Sequence, residues 1–206
     1  GDLYVEELIP NARHIEVQII GDNYGSLIHL GERECSVQRR YQKIIEIAPA
    51  PNLSEKLREK ITTAALLLAE STKYSSLGTF EFLIYSKSGS EYDSFVFIEA
   101  NARLQVEHTV TEEVTSVDLV QSQIRLASGE SLSDLSLDQE DVLYPRGYAI
   151  QARVNMETIG QDGLVRPSSG ILKAYETPGG PGIRVDGFGY SGYETSPHFD
   201  SLLAKV

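Results

Sequence analysis

Polar and apolar residues alternate without a break from Glu99 to Glu107. Glu99, Asn101, Arg103, Gln105 and Glu107 take one phase, and Ala100, Ala102, Leu104 and Val106 take the other. An extended chain would put all of the polar groups on one face. Alternation also marks residues 13–20, where Ile15, Val17 and Ile19 interleave with His14, Glu16 and Gln18. The turn-forming run Gly21-Asp22-Asn23-Tyr24-Gly25 and a second apolar run from Ser26 to Leu30 complete a predicted hairpin. Residues 31–42 are polar and read as a loop. Leu57, Ile61, Ala64, Ala65 and Leu68 recur at helical spacing, which predicts a helix from Asn52 to Thr72, with Asn52 and Glu55 placed as a capping box. A second hairpin joins GTFEFLIY, from Gly78, to SFVFIE, ending at Glu99, through the polar loop SKSGSEYD. A further helix is predicted from Val117 to Ser128, stopped by Gly129. Residues 130–145, rich in Ser and Asp and closed by Pro145, mark the best internal boundary. Beyond them lie a strand, GYAIQARV, and a Gly- and Pro-rich region of short strands.

Composition narrows the class. A chain of 206 residues that is 41% hydrophobic can build a sizeable core. No apolar run is long enough to span a membrane, and no secretory signal is present. The single cysteine, Cys35, excludes an internal disulfide framework and fits a reducing compartment. A net charge of -12 argues against a nucleic-acid surface. The chain starts at Gly1, has Met156 as its only methionine and closes on SLLAKV, so it reads as a piece of a longer protein.

The candidate chemistry lies on polar positions inside apolar runs. Glu81 sits among Phe80, Phe82 and Leu83, where a carboxylate is costly unless paired or metal-bound. If its strand pairs with the one ending at Glu99, then Glu81, Glu99 and Asn101 converge as oxygen donors suited to magnesium. The alternative is a pair of ordinary solvated glutamates. The run GERECSVQRRYQK carries Arg33, Arg39, Arg40 and Lys43, which could receive a polyanion or form a solvated charge run balanced by Glu32 and Glu34. Arg153 shares the polar phase of its strand with Gln151 and Asn155, and by itself reads equally as a surface residue. His14, alternating with apolar residues, reads as a structural histidine, and PGGPG at 178–182 reads as a turn.

Taken in order, ARHIEVQ, GERECSVQRRYQK, EIAPAP, GTFEFL, FIEANARLQVEHTVTEEV, QARVN and SPHFDSLLAKV resemble the biotin carboxylase family of the ATP-grasp superfamily. EHTVTEEV and SPHFDSLL are similar to multidomain pyruvate or long-chain acyl-CoA carboxylases. The resemblance implies a ligase that phosphorylates bicarbonate with ATP and then carboxylates biotin on a carrier protein. It implies an α+β fold: residues 1–129 would be the C-terminal half of an ATP-grasp domain, 130–145 a linker, and 146–206 the start of the biotin carboxylase C-terminal domain. Residues 1–8 would end the lid or hinge.

Residue by residue, the resemblance implies metal sites, two of magnesium or manganese, at Glu81, Glu99 and Asn101. It implies a bicarbonate pocket at Lys43, Arg103, Gln105, Val106 and Arg153, with Glu107 as the base. Arg153 would also stabilise the biotin enolate, and Lys43 would lie near the transferred phosphoryl group. Glu6, Glu7, Leu8 and Ile9 would contact adenine, with Leu83 against the base, and His14 and Gln38 near the sugar. Tyr41 stands where the family often has histidine. Implied partners are a biotin carrier domain, a carboxyltransferase domain and a second copy of the chain, in the cytoplasm or, in a eukaryote, the mitochondrial matrix. The isolated piece, without the lid, is expected to fold but not to catalyse. Another ATP-grasp carboxylate ligase and a non-catalytic assembly module are the rival readings.

Overall fold

The computed structural model describes residues 3–87, 89, 92–142, 144–196 and 198–206. The first hairpin forms as its alternation predicts, from β1 (Arg13–Gly21) and β2 (Leu27–Arg39). β2 then turns directly into β3 (Gln42–Ala48). Helix α1 (Glu55–Ser71) precedes a second hairpin, β4 (Ser76–Tyr85) and β5 (Ser94–Asn101). Three helices follow: α2 (His108–Thr115), α3 (Leu119–Ala127) and the single turn α4 (Gln139–Val142). The remainder is strands: β6 (Ala149–Asn155), β7 (Glu157–Ile159), β8 (Val165–Pro167), β9 (Gly170–Ile171), β10 (Asp186–Gly187), β11 (Glu194–Thr195) and β12 (Leu202–Lys205). The main sheet has eight strands in the order β10-β12-β6-β3-β2-β1-β4-β5, every pair antiparallel.

The alternation of β1 sorts the two faces of this sheet. Ile15, Val17 and Ile19 are fully buried with Phe80, Phe82 and Ile84 against Leu57, Ile61, Ala65 and Ala69 of α1. On the other face, one end is closed by Ile20, Leu30 and Leu77 packing on Leu119, Leu126, Leu132 and Val142. α2 lays Val110 and Val114 on Ala48 and Ala149. Between these packed ends the opposite phase of β1, namely His14, Glu16 and Gln18, stands in register with Leu83, Glu81 and Thr79. That strip carries the site.

Several sequence expectations fail for physical reasons. Residues 31–42 are strand rather than loop, and the reversal falls on Arg40 and Tyr41, both at positive φ. Glu32, Arg33 and Glu34 of β2 are buried instead of solvated, because Arg33 and Glu34 find partners on β1 and Glu32 pairs with Arg58 of α1. The period-two reading of 99–107 holds only to Asn101, where β5 ends; Glu107 is already the N-cap of α2. That helix escapes sequence reading because Val110 and Val114 are the only aliphatic residues on its buried face, completed by His108, Thr109, Thr111 and Glu112. The cap of α1 is Ser54, whose side chain accepts from the Leu57 N–H; Asn52 lies at φ 52°. Residues 130–142 are packed as well: Leu132 and Val142 join the second core cluster, and Asp22 accepts the Leu132 N–H at 3.0 Å.

Candidate active site

The site is a network of charges on the open strip of the sheet. Lys43 reaches over from β3, donating to Glu107 Oε1 at 2.7 Å, to Glu16 Oε1 and, at 3.5 Å, to Glu81 Oε1. Arg153, from β6, closes the other side of Glu107, with Nη2 at 3.0 Å from Oε2. Glu107 thus sits between an ammonium and a guanidinium. Burial alone would push its pKa up, but Lys43, Arg33 and Arg153 outweigh it and hold the carboxyl at about 2. Lys43 moves the opposite way: burial would lower its pKa, and Glu16 and Glu107 overcome that and raise it.

Glu81 is the second centre, and it answers the question its apolar surroundings pose. It is 4% exposed and fully partnered. His14 Nε2 lies 2.6 Å from Oε2, and Gln105 and Asn101 donate to Oε1 at 2.9 and 2.7 Å. Burial raises its pKa less than His14, Lys43 and Gln105 lower it, leaving it at about 2. Glu99 is its direct cross-strand neighbour, and the Asn101 amide also donates to Glu99 Oε1 at 2.9 Å. The convergence of Glu81, Glu99 and Asn101 is therefore real in the structure. Gln38 Nε2 lies 2.9 Å from His14 Nδ1, on the ring nitrogen away from Glu81.

A cleft of about 320 Å³ opens onto this network, lined by Lys43, Arg103, Gln105, Val106, Glu107 and Arg153, with Tyr41 at its rim. Arg103 is exposed, and among the described residues its guanidinium reaches only the Leu104 carbonyl. Tyr41 is 98% exposed on the β2–β3 turn and makes no side-chain hydrogen bond among the described residues. Leu83 is half-buried on the site face beside His14. Glu6, Glu7 and Leu8 are exposed and Ile9 half-buried ahead of β1, outside the charge network. A larger cleft of about 640 Å³ lies beside α2, with Arg146, Tyr148, Ile150 and Arg184 in its wall; none of the candidate site residues expected from the sequence lines it.

The basic run of β2 and β3 does not gather into one patch. Arg39 pairs with Glu157, and Arg33 is buried completely beneath the site. Its guanidinium donates to Gln18 at 2.8 Å, Thr111 at 3.0 Å, Glu16 and Thr79 at 3.2 Å, and Gln105 at 3.4 Å. Glu16 and, below Arg153, Glu46 are the members that sequence reading missed, and Arg33, read there as part of a basic run, is a buried support of the site. The signal was present for both carboxylates: Glu16 shares the phase of His14 on β1, and Glu46 interrupts the apolar run IIEIA as Glu81 interrupts its own. Arg33→Met would leave Glu16 in the interior with one of its two fixed cations, Lys43, and would strip the hydrogen bonds that Gln18, Thr79 and Thr111 accept. It is expected to cost roughly 3–5 kcal/mol in urea unfolding, with part recovered by adding Glu16→Leu. A loss no larger than a surface substitution gives, about 0.5 kcal/mol, would contradict this.

Comparison with known proteins places this geometry. The family described as carbamoyl-phosphate synthase L chain, ATP binding domain, matches residues 1–135, and the biotin carboxylase C-terminal domain matches residues 151–206. Pyruvate carboxylase 1 of Caenorhabditis elegans is 51% identical over 207 residues, covering 100% of this chain and 17% of that protein. Biotin carboxylase of a Nostoc species is 48% identical over 204 residues, covering 99% of this chain and 43% of that protein. The chain thus spans less than half the length of either relative. A solved structure of the biotin carboxylase domain dimer of 2-oxoglutarate carboxylase from Hydrogenobacter thermophilus, in complex with MgADP, ADP and bicarbonate, superposes with a TM-score of 0.87. It is 46% identical, covering 97% of this chain and 42% of that one. The chain belongs to the carbamoyl-phosphate synthase L chain ATP-binding family, in the biotin carboxylase form that joins this domain to a biotin carboxylase C-terminal domain.

Proposed function

We propose that the protein containing this chain carboxylates biotin, using ATP and bicarbonate through carboxyphosphate. The carrying observation is Glu107 held between Lys43 and Arg153 at the mouth of the cleft, beside the Glu81–Glu99–Asn101 donor set. The relative solved with MgADP and bicarbonate supports the same pairing of substrates.

In this reading bicarbonate enters between Arg103 and Arg153, whose planar guanidinium groups suit a planar anion. Glu107 accepts its proton as a bicarbonate oxygen attacks the γ-phosphorus of ATP and the bond to ADP breaks. A carboxyl at about 2 is a weak base. Each cation that bicarbonate draws away from Glu107 raises its basicity, so substrate binding and base activation are one event. Lys43 stays protonated and neutralises the transferred phosphoryl group. Arg153 then holds the developing negative charge on the biotin ureido oxygen. Glu81, Glu99 and Asn101 are hard oxygen donors brought within one amide's reach of each other, a set that fits magnesium or manganese. These three residues would hold the cation, which would supply charge neutralisation for the ATP phosphates. Glu6 to Ile9, Leu83, His14, Gln38 and Tyr41 would form the nucleoside side of the site. A biotin carrier domain and a carboxyltransferase, in the same polypeptide or complex, would deliver and consume the carboxyl group.

In the full-length protein, ATP cleavage should rise on adding bicarbonate, and label from bicarbonate should appear on free biotin; absence of both would sink the reading. Arg153→Ala should separate the half-reactions, with bicarbonate-dependent ATP cleavage surviving better than biotin carboxylation. Equal loss of both would return Arg153 to bicarbonate activation or to folding.

A further inference from the structure

Arg153 does not stand free beside the cleft. Its Nε and Nη2 both reach Glu46 Oε1, at 2.7 and 2.6 Å, while Nη2 also reaches Glu107. Glu46 is fully buried on β3 and does not line the cleft. Its second oxygen accepts from the Gln151 amide at 2.8 Å, and the oxygen of that amide accepts from the Thr109 hydroxyl on α2. The strand register sets Glu46 directly opposite Gln151. A chain of hydrogen bonds thus runs from α2 through β6 to β3 and ends on the guanidinium. By taking the Nε edge, it leaves Nη1 without a hydrogen bond among the described residues, on the one side chain of this chain of bonds that lines the cleft.

We propose that Glu46 is the positioning residue of this site: it selects which edge of the Arg153 guanidinium faces the carboxyl acceptor, with Gln151 and Thr109 holding Glu46 in place. This rests on the reading of Arg153 given above. Glu46 touches no substrate. Its effect passes entirely through Arg153, because a guanidinium on a flexible stem stabilises an oxyanion only when its N–H groups are aimed in advance.

The test is made in the full-length protein with free biotin as the probe. Glu46→Gln should lower biotin carboxylation on the order of 10²-fold, the scale of a small misplacement at a reacting centre. Bicarbonate-dependent ATP cleavage should fall far less. Glu46→Asp, which keeps the charge, should recover part of the loss. In an Arg153→Ala background, Glu46→Gln should add nothing further. A merely structural role would depress both half-reactions together and would persist in that background, and either result overturns the proposal. If Glu46→Gln does not fold, Glu46→Asp and Thr109→Val carry the test, and an unchanged ratio of the two rates in both would overturn it. Arg153→Ala itself losing both half-reactions equally would instead remove the role of Arg153. Selective loss there, with none in the Glu46 variants, would remove the role of Glu46 alone.

Discussion

Glu99→Gln in the full-length protein is expected to slow bicarbonate-dependent ATP cleavage by several kcal/mol in barrier, on the order of 10³-fold, without loss of stability. The two halves of that expectation come from one geometry. Glu81 and Glu99 face each other directly across β4 and β5, with the Asn101 amide between them. Like charges directly opposite on a sheet destabilise it, so removing one should leave the unfolding midpoint unchanged or slightly raised. A cation bound there would lose an anionic ligand, and the ATP phosphates would lose charge neutralisation. Raised magnesium should restore only part of the rate. Near-normal turnover across the magnesium range would show that Glu99 is not a ligand, and a large drop in stability would show that its role is structural.

Glu107→Gln is expected to cost roughly 10²–10⁴-fold in rate while leaving nucleotide affinity close to normal. Glu107 lies against Lys43 and Arg153, and makes no hydrogen bond to Glu81, Glu99 or Asn101 among the described residues. The amide keeps the shape and one acceptor oxygen, enough for one of the two cations, and Glu16 and Glu46 still neutralise both. What disappears is the group that can take a proton. Titration of ADP binding alongside single-turnover ATP cleavage separates the two effects. Lost affinity with a preserved rate would make Glu107 a nucleotide contact.

Legibility in the sequence followed the partners each residue needed. Strands with one apolar phase, such as β1 and β4, were readable because one face packs on α1. Glu81 and Arg153 could be singled out, the first because it breaks an apolar run, the second through family resemblance. β2 was misread because burial in ion pairs leaves the composition of a surface loop: Arg33 is the largest side chain sealed in the interior among the described residues. The turn between Asn101 and Glu107 was misread for the opposite reason. Its alternation is that of a strand, yet only Glu99 and Asn101 lie on one, and Gln105 and Glu107 reach the network from a bend leading into α2. α2 itself lacks a full aliphatic stripe: Val110 and Val114 pack on Ala48 and Ala149, and the rest of its buried face is polar and hydrogen-bonded through Thr109, Thr111 and Glu112. Polar residues that serve each other leave no hydrophobic period to read.

The pairing of β3 with β6 matters beyond the site. Residues 1–135 and 151–206 match two separate sequence families, yet Ile45 to Ala48 and Ala149 to Ala152 are neighbours in one hydrogen-bonded ladder. The join between the families is not a join in the backbone. Cutting the polypeptide between them would strip β3 of its outer neighbour and expose a row of unpaired amides and carbonyls, an invitation to intermolecular strand addition. Evolution could exchange these two pieces as modules only by carrying a compatible edge with each, so the unit that must be inherited intact is larger than either family taken alone.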